Sequence, residues 1–457
     1  MPTIRLTLFI TVAALIATAC SSPEPKPYGP VPTETQLAWQ RMEINMFCHF
    51  GPNTFTGAEW GSGQENKEVF APTAMDCRQW ADVARQADMG GIILTAKHHD
   101  GFCLWPSAFS SHTVSPQQDV LREFVDACHN EGIKPGVYIS PWDRNHPSYG
   151  TPEYNSVFAN MLREVHNNYG PFFEQWFDGA CGEGPNGKRQ EYDWTLFNST
   201  VLNINPNTII FSDWGPGCRW VGNEDGCADE TCWSTVGDSS WVPVEADVSI
   251  RPGWFWHADE HPKTVEELME IYYNSVGRNG LLLLNVPPDN RGRIPAEDSA
   301  VLVAFRQERD RIFSNDLAQG AIITAYCPYG DGLKDKTDRR HPTSSLTDTA
   351  YNTYWTIHGE DTSCIKMIVN LPEAREIDMI MLQEYIPLGQ RVTKFCISYA
   401  DTNANGGMII AEGTTIGYKR IIRLPFPIRT QTLYITIVHA LAPPILNRIA
   451  LYNTQAQ

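Results

Sequence analysis

Between residues 43 and 313 the chain alternates short apolar runs with amphipathic stretches, and this alternation restricts its fold more than any other feature. The stretches CRQWADVARQADMG and TVEELMEIYYNSVGRNG, for example, have helical period. The apolar runs are continuous enough to form strands buried on both faces: EINMFCHF, GGIILTAKH, KPGVYIS, FFEQWFDG, TIIFSDW and GLLLLNV. The pattern predicts a parallel sheet covered by helices.

The length of this region favours one of two parallel-sheet architectures. About 270 residues of alternating pattern match the usual size of a (β/α)8 barrel. We therefore expect a (β/α)8-like (TIM) barrel over residues 35–315. A doubly wound sheet is the alternative, because only six strands are evident.

Residues 316–457 have a different pattern. Their β-branched runs, such as CIKMIVNL, KFCISYA and LYITIV, are separated by Asn, Asp, Gly and Pro and show little helical period. They predict an antiparallel β-sandwich. The stretch SLTDTAYNTYWTI resembles the opening of galactose-binding-like modules, which leaves two roles open: sugar binding, or packing against the barrel.

The N-terminal residues read as an export signal over residues 1–20, followed by a proline-rich tether over residues 21–34. Arg5 precedes the apolar run LTLFITVAALIA, which is short for a stable membrane span. The following TACSS resembles the lipobox of bacterial lipoproteins, which implies a lipid on Cys20; simple cleavage is the alternative. We expect the protein in the periplasm or at a bacterial cell surface.

Charge excludes several classes of partner. With 35 basic and 53 acidic residues, the chain has a formal net charge of −18 and no evident basic patch. Such a surface repels phosphate backbones and anionic lipids. We expect no nucleic-acid partner, and membrane contact only through a lipid anchor. The 14 tryptophans suit a ligand with apolar C–H faces, as sugars have.

The predicted strands end on polar residues. In a (β/α)8 barrel these ends converge on one mouth, where active sites are built. The charge of Asp178 in EQWFDGA is therefore expected to face that mouth. The residues at the strand ends are His49, His98, His99, Tyr138, Ser140, Asp178, Asp213 and Asn285.

A carboxylate at a barrel mouth suggests glycoside hydrolysis, which needs a second carboxyl group. Glu59 and Glu224 are the candidates, both in predicted loops. Metal catalysis is disfavoured because His98 and His99 are adjacent and the chain contains no HxH or HExxH motif, so no metal or cofactor is expected.

The cysteines do not define a disulfide framework. Apart from Cys20 there are eleven, without CxxC pairs. Cys218, Cys227 and Cys232 lie in one segment and could form a local bridge or remain free thiols.

Seven motifs carry a resemblance to a known family. MFCHFGPNTF, AEW, LTAKHHDGFCLWPS, GVYIS, EQWFDGA, RWVGNE and GLLLLNVPPDNRG follow in an order that resembles the glycoside hydrolase family 29 α-L-fucosidases. The resemblance implies a retaining barrel enzyme with a C-terminal β-sandwich and Asp178 as nucleophile. The GNE motif is similar to that of the branch acting on α1,3- and α1,4-linked fucose, which implies Glu224 as acid/base and leaves Glu59 to bind substrate.

The same resemblance implies the remaining site residues and the substrate. The substrate would be a fucosylated oligosaccharide, and Arg219 would orient the loop of Glu224. Two alternatives stay open: a retaining glycosidase of other specificity, and a non-catalytic surface sugar-binding lipoprotein. The residues implied to line the sugar pocket are His49, Glu59, Trp60, His98, His99, Tyr138, Trp176 and Trp256.

Overall fold

The computed structural model describes residues 24–213, 215–329, 332–399 and 407–455. The predicted export signal, with Cys20, lies outside these residues. Within them, no helix is both long and apolar enough to cross a membrane.

Eight parallel strands close into a barrel. Each strand pairs with the next one in sequence, and β8 pairs with β1 to complete the ring. The predicted (β/α)8-like architecture is confirmed, and closure excludes the doubly wound sheet. The strands are β1 Ile44–Cys48, β2 Gly91–Lys97, β3 Lys134–Ile139, β4 Glu174–Trp176, β5 Ile209–Ser212, β6 Cys218–Trp220, β7 Val244–Ser249 and β8 Leu281–Asn285.

Helices surround the barrel, and most of them follow a strand. Capping side chains fix several of their starts, as where Thr264 and Glu267 form a reciprocal capping box. The α-helices are α1 Glu34–Gln40, α2 Asn53–Thr56, α3 Cys77–Gln86, α4 Val120–Glu131, α5 Pro152–Tyr169, α6 Trp194–Ile204, α7 Val265–Asn274 and α8 Ala296–Phe313. Short 3-10 helices span Lys67–Val69, Pro116–Gln118, Thr343–Leu346 and Ile386–Leu388.

The connection from β5 to β6 departs from the regular alternation. β5 ends at Ser212 and β6 begins at Cys218, so a short turn takes the place of a helix. The Gly217 amide donates to the Ile210 carbonyl at 3.0 Å, and a Cβ on Gly217 would lie 2.4 Å from the Ile210 nitrogen. Only glycine permits this approach.

The barrel strands separate two apolar regions. Side chains such as Met46 and Leu94 point outward and pack against the helices. Phe47, Ile93 and Leu283 point inward. Helix α1 adds Trp39 to the interior, so one surface of each strand packs inside the ring and the other packs beneath the helices.

The interior also holds two buried glutamates, Glu174 on β4 and Glu245 on β7. Trp39 Nε1 donates to Glu174 Oε2 at 2.7 Å, and Trp176 Nε1 donates to Glu245 Oε1 at 3.0 Å. Burial raises the pKa of Glu174, and burial together with the charge of Glu174 raises the pKa of Glu245 well above its usual range. The pair therefore holds protons that exposed carboxyl groups would release.

The C-terminal part is an antiparallel β domain. Its strand order is β10-β9-β12-β15-β13-β14, while β16 pairs with β12 and β11. Both halves of the long, bulged strands β12 and β15 contribute to one apolar core, so the sheet doubles over on itself as a sandwich does. The strands are β9 Ile322–Tyr329, β10 Gly332–Asp335, β11 Trp355–Thr356, β12 Ser363–Glu384, β13 Val392–Tyr399, β14 Met408–Gly413, β15 Arg420–Ala440 and β16 Ile445–Tyr452.

A largely enclosed ion pair joins the β domain to the barrel. Lys419 Nζ lies 2.5 Å from Glu43 Oε1, and the hydroxyls of Tyr418 and Tyr272 also donate to this carboxylate, at 2.8 and 2.9 Å. Burial raises the pKa of Glu43, but the charge and hydrogen bond of Lys419 outweigh it and leave the pKa lowered. The carboxylate is thus ionised and fully hydrogen-bonded at the junction.

The segment before α1 lies against the β domain rather than the barrel. Glu24 forms an ion pair with Arg340 at 2.8 Å, and its Oε2 lies 3.0 Å from His341 Nε2. Arg391 donates to the Lys26 carbonyl at 2.7 Å. These contacts fix the segment on the β domain before the chain enters the barrel.

Replacing Glu245 with Gln should flatten the pH dependence of stability. A carboxyl group whose pKa is raised by folding stabilises the protein below its unfolded pKa of 4.5, and this contribution is lost as the pH rises through the folded pKa. Thermal unfolding from about pH 5 to about pH 8 should therefore show Tm falling more steeply in the wild type than in Glu245→Gln.

The matched control is Glu191→Gln, at an exposed position. Its Tm should follow the wild-type slope. Parallel curves for Glu245→Gln and the wild type would contradict the role given to the buried pair.

Candidate active site

A cavity of about 140 Å³ opens at the carboxyl ends of the barrel strands. It brings together all the predicted site residues except Arg219 and Trp256. It also includes four residues that the sequence did not predict: Phe47, Ala180, Asp247 and Trp254. The full lining is Phe47, His49, Glu59, Trp60, His98, His99, Tyr138, Trp176, Asp178, Ala180, Glu224, Asp247 and Trp254.

Asp178 lies just past the end of β4. Its Oδ2 accepts from the Tyr138 hydroxyl at 3.0 Å, and its Oδ1 accepts from the Ala180 amide at 2.7 Å. His99 Nε2 lies 3.6 Å from Oδ2. A Cβ on Gly179 would lie 2.7 Å from both carboxylate oxygens of Asp213, so the glycine lets the chain turn while the Asp178 carboxylate stays at the cavity.

The three histidines of the cavity are held neutral by burial. Burial lowers the pKa of His49 to about 3, that of His99 to about 4 and that of His98 well below its usual range. His99 Nδ1 lies 2.8 Å from the Ser140 hydroxyl. His98 Nδ1 is buried and makes no hydrogen bond to the described residues. Neutral imidazoles can both donate and accept, as sugar hydroxyls require.

Asn285, at the end of β8, fixes the tautomer of His49. Its Nδ2 donates to Ser249 Oγ at 2.9 Å and to the Trp254 carbonyl at 2.8 Å, which orients the amide. Its Oδ1 lies 2.8 Å from His49 Nδ1 and can only accept. The His49 proton is therefore on Nδ1, and Nε2 is left as an acceptor.

Aromatic rings form the apolar side of the cavity. Trp176 stacks on Phe211 with centroids 4.1 Å apart and on Tyr138 at 5.2 Å. Trp60 is 59% exposed and meets His99 edge-on at 5.7 Å, so it stands at the rim.

Trp254 lies between the two candidate glutamates. Its backbone amide donates to Glu59 Oε2 at 2.9 Å, and its indole Nε1 donates to Glu224 Oε2 at 3.2 Å. Burial raises the pKa of Glu59. The predicted aromatic wall at Trp256 is corrected, because the nearby Trp254 of the same RPGWFWH segment lines the cavity and Trp256 does not.

Arg219 also does not line the cavity. Successive side chains of a strand point to opposite faces, and on β6 Trp220 points inward, where its Nε1 donates to Asp247 Oδ1 at 2.8 Å. Arg219 points away and donates to the Trp233 carbonyl at 3.0 Å. It braces the segment after β6 and contacts no catalytic carboxylate.

One cluster in the described part of the chain has the spacing of a metal site. Ligand atoms of Glu174, Cys218 and Glu245 lie within 4.8 Å of one another. Burial raises the pKa of all three groups, so a metal ion binding there would have to displace protons. The cluster is better described as a proton-holding pair beneath the cavity, with a buried thiol beside it.

The cysteines of the described residues are free. They include Cys218, Cys227 and Cys232, so the local bridge that the sequence left open does not form.

Comparisons with known proteins agree with this geometry. The family model "Alpha-L-fucosidase" matches residues 30–307. "Alpha-L-fucosidase 1" of Arabidopsis thaliana is 38% identical over 94% of this chain and 89% of its own length. The solved structure of SpGH29 has a TM-score of 0.86 and 35% identity, covering 95% of this chain and all of that one.

A Ruminococcus gnavus GH29 fucosidase, solved in complex with fucose, has a TM-score of 0.85 and 29% identity over 95% of this chain and 97% of its own. The family model matches more than half of the chain, and the Arabidopsis relative matches nearly all of it. The chain belongs to the α-L-fucosidase family of glycoside hydrolases.

Proposed function

We propose that the protein is a retaining, exo-acting α-L-fucosidase that removes α1,3- and α1,4-linked fucose from branched oligosaccharides or glycoconjugates. The observation that carries the proposal is the presence of two carboxyl groups, Asp178 and Glu224, on one small cavity lined by neutral imidazoles and aromatic rings. Family membership and the fucose complex of the R. gnavus enzyme support fucose as the sugar.

In the proposed mechanism Asp178 is the nucleophile. One of its oxygens forms a bond to the anomeric carbon while the bond from that carbon to the glycosidic oxygen breaks, and Glu224 gives its proton to the departing oxygen. Glu224 then takes a proton from water, whose oxygen attacks the same carbon and releases Asp178. Two inversions leave the anomeric configuration unchanged.

The size and polarity of the cavity support a single terminal sugar. A volume of about 140 Å³ is small beside the roughly 300–1,000 Å³ of pockets for drug-sized ligands. His49, His98 and His99 suit the hydroxyls, because neutral imidazoles need no counter-charge on the ligand. The apolar surface that Phe47 and Trp176 contribute to the cavity suits the methyl group of a 6-deoxy sugar.

The acid/base assignment weighs Glu224 against Glu59. Both line the cavity and both accept from Trp254. Glu59 is held by the main chain of Trp254, whereas Glu224 is exposed on the GNE loop, which the resemblance gives as the position of the acid/base. We therefore assign Glu224 as acid/base and Glu59 to substrate binding.

We also propose that residues 1–20 export the chain and that Cys20 carries a lipid. The support is the apolar run followed by TACSS. Wild-type protein should then be found in the membrane fraction, and Cys20→Ala should release it. Cys364→Ala, at an exposed cysteine of the β domain, is the control and should remain membrane-bound. Wild-type protein found only in the soluble fraction would refute the anchor.

Asp178→Asn should lower kcat/KM by about 10³-fold or more, which is roughly 4 kcal/mol of transition-state stabilisation. Asp213→Asn, at the end of the neighbouring strand β5, is the matched control and should lose less than about tenfold.

Two product analyses complete this test. Asp178→Gly supplied with azide should form β-fucosyl azide, and NMR of the wild-type reaction should show α-L-fucose as the first product. An Asp178→Asn variant within about tenfold of wild type, or β-L-fucose formed first, would contradict the mechanism.

Glu224→Gln should lower kcat/KM on branched glycans by about 10²–10⁴-fold and on aryl fucosides far less, because a good leaving group needs little protonation. Glu59→Gln, on the other side of Trp254, should weaken both substrate types alike. If only Glu59→Gln shows a loss that depends on the leaving group, Glu59 is the acid/base residue.

The wild type should release fucose faster from α1,3/α1,4-branched glycans than from α1,2-linked ones; equal rates would refute the linkage preference.

A further inference from the structure

Strand β7 turns three polar side chains into the barrel: Glu245, Asp247 and Ser249, all buried. The first two each accept a hydrogen bond from a tryptophan indole. Glu245 Oε1 accepts from Trp176 Nε1 at 3.0 Å, and Asp247 Oδ1 accepts from Trp220 Nε1 at 2.8 Å. These two hydrogen bonds help to fix the positions of both indole rings, because a buried N–H group needs an acceptor.

Trp220 is the last residue of β6 and begins the segment that carries Glu224. Three residues separate them, and Asn223 ties the loop together around Glu224. Asn223 Oδ1 accepts from the amides of Asp225 and Cys227 at 3.1 and 3.3 Å, and its Nδ2 donates to the Cys227 carbonyl at 2.8 Å. The start of the segment is tied to β7 twice, by the Val221 amide, which donates to the Glu245 carbonyl at 2.9 Å, and by the Trp220 indole, which donates to Asp247.

We propose that Asp247 is a positioning residue of the reaction: through its hydrogen bond to Trp220 it holds the loop on which the Glu224 carboxyl meets the glycosidic oxygen. This inference rests on the proposed function, in which Glu224 protonates the leaving group. Asp247 acts through Trp220, not on the bond that breaks.

The charge state of Asp247 is consistent with this role. Burial, together with the charges of Glu224 and Asp178, raises its pKa to about 7, while the Trp220 bond opposes the rise. The groups facing it are Glu224 after β6, Asp178 after β4 and Glu245 on its own strand. The carbonyl oxygen of a neutral carboxyl group can accept a hydrogen bond from the indole N–H. A neutral Asp247 also adds no negative charge beside Asp178 and Glu224.

The test separates positioning from general stability. Trp220→Phe keeps an aromatic ring but removes the N–H, and it should lower kcat on branched glycans by roughly tenfold, the effect of one lost buried hydrogen bond. On aryl fucosides with good leaving groups the loss should stay below about threefold, since these need little help from Glu224. Asp247→Leu, at a residue that lines the cavity itself, should lower activity on both substrates, but about tenfold more on branched glycans than on aryl fucosides. Asp247→Asn, which retains an oxygen acceptor, should recover most of that glycan-specific loss.

Trp80→Phe is the matched control, because it also removes a buried indole donor, here to the Gly292 carbonyl at 3.0 Å, but away from the cavity. It should lower Tm without a difference between substrates. Equal losses on both substrate types for Trp220→Phe and Asp247→Leu, or no recovery in Asp247→Asn, would overturn the inference. Failure of the proposed function is distinguishable, because Glu224→Gln itself would then lack any dependence on the leaving group.

Discussion

The side-chain amide of Asn285 forms hydrogen bonds with three other parts of the barrel mouth, at His49, Ser249 and Trp254. The relative positions of these three residues depend on those bonds. The amide stands at the seam where β8 pairs with β1, with Asn285 opposite Phe47 in the register. Its oxygen holds the backbone and ring of His49, while its nitrogen holds Ser249 and the carbonyl of Trp254. Neither a carboxylate nor an apolar side chain could donate and accept in this way, so one group links the ends of β1, β7 and β8 to the segment that carries Trp254.

Burial gives the mouth its chemical character. It lowers the pKa of His49, His98 and His99 and raises the pKa of Glu59 and Asp247, so in every case it favours the neutral form. A chain with a net charge of −18 thus presents a pocket whose buried groups are mostly uncharged. That environment suits a neutral polyhydroxylated ligand, because directional hydrogen bonds, rather than ionic attraction, would bind its hydroxyl groups.

The six apolar runs of the sequence correctly predicted six of the eight barrel strands. The other two, β6 and β7, are not continuous apolar runs and were missed. β7 reads VEADVS, an alternation typical of a half-exposed strand, because its polar residues face the barrel interior. β6 has three residues and follows β5 without a helix. Side chains at the ends of the predicted strands could be placed at the mouth in advance, but Asp247 could not, since its strand was not recognised.

Loop residues were the least predictable part of the site. A loop has no period from which the direction of a side chain can be read, so nothing in RPGWFWH distinguished Trp254 from Trp256. For Arg219 the sequence offered the loop or a carboxylate as partner; its outward direction on β6 and its bond to the Trp233 carbonyl could not be derived, because β6 was not recognised as a strand.

The docking of residues 24–28 on the β domain has a mechanical consequence. A force on the N-terminal end of the described chain must first break the contacts of Glu24 with Arg340 and His341 and the hydrogen bond from Arg391 to the Lys26 carbonyl. Only then does it act on α1. Tension is thus taken up first by the β domain, which contacts the barrel at several places, Glu43–Lys419 and Glu230–Arg420 among them. A force applied to the segment before α1 therefore acts on the β domain before it acts on the barrel mouth.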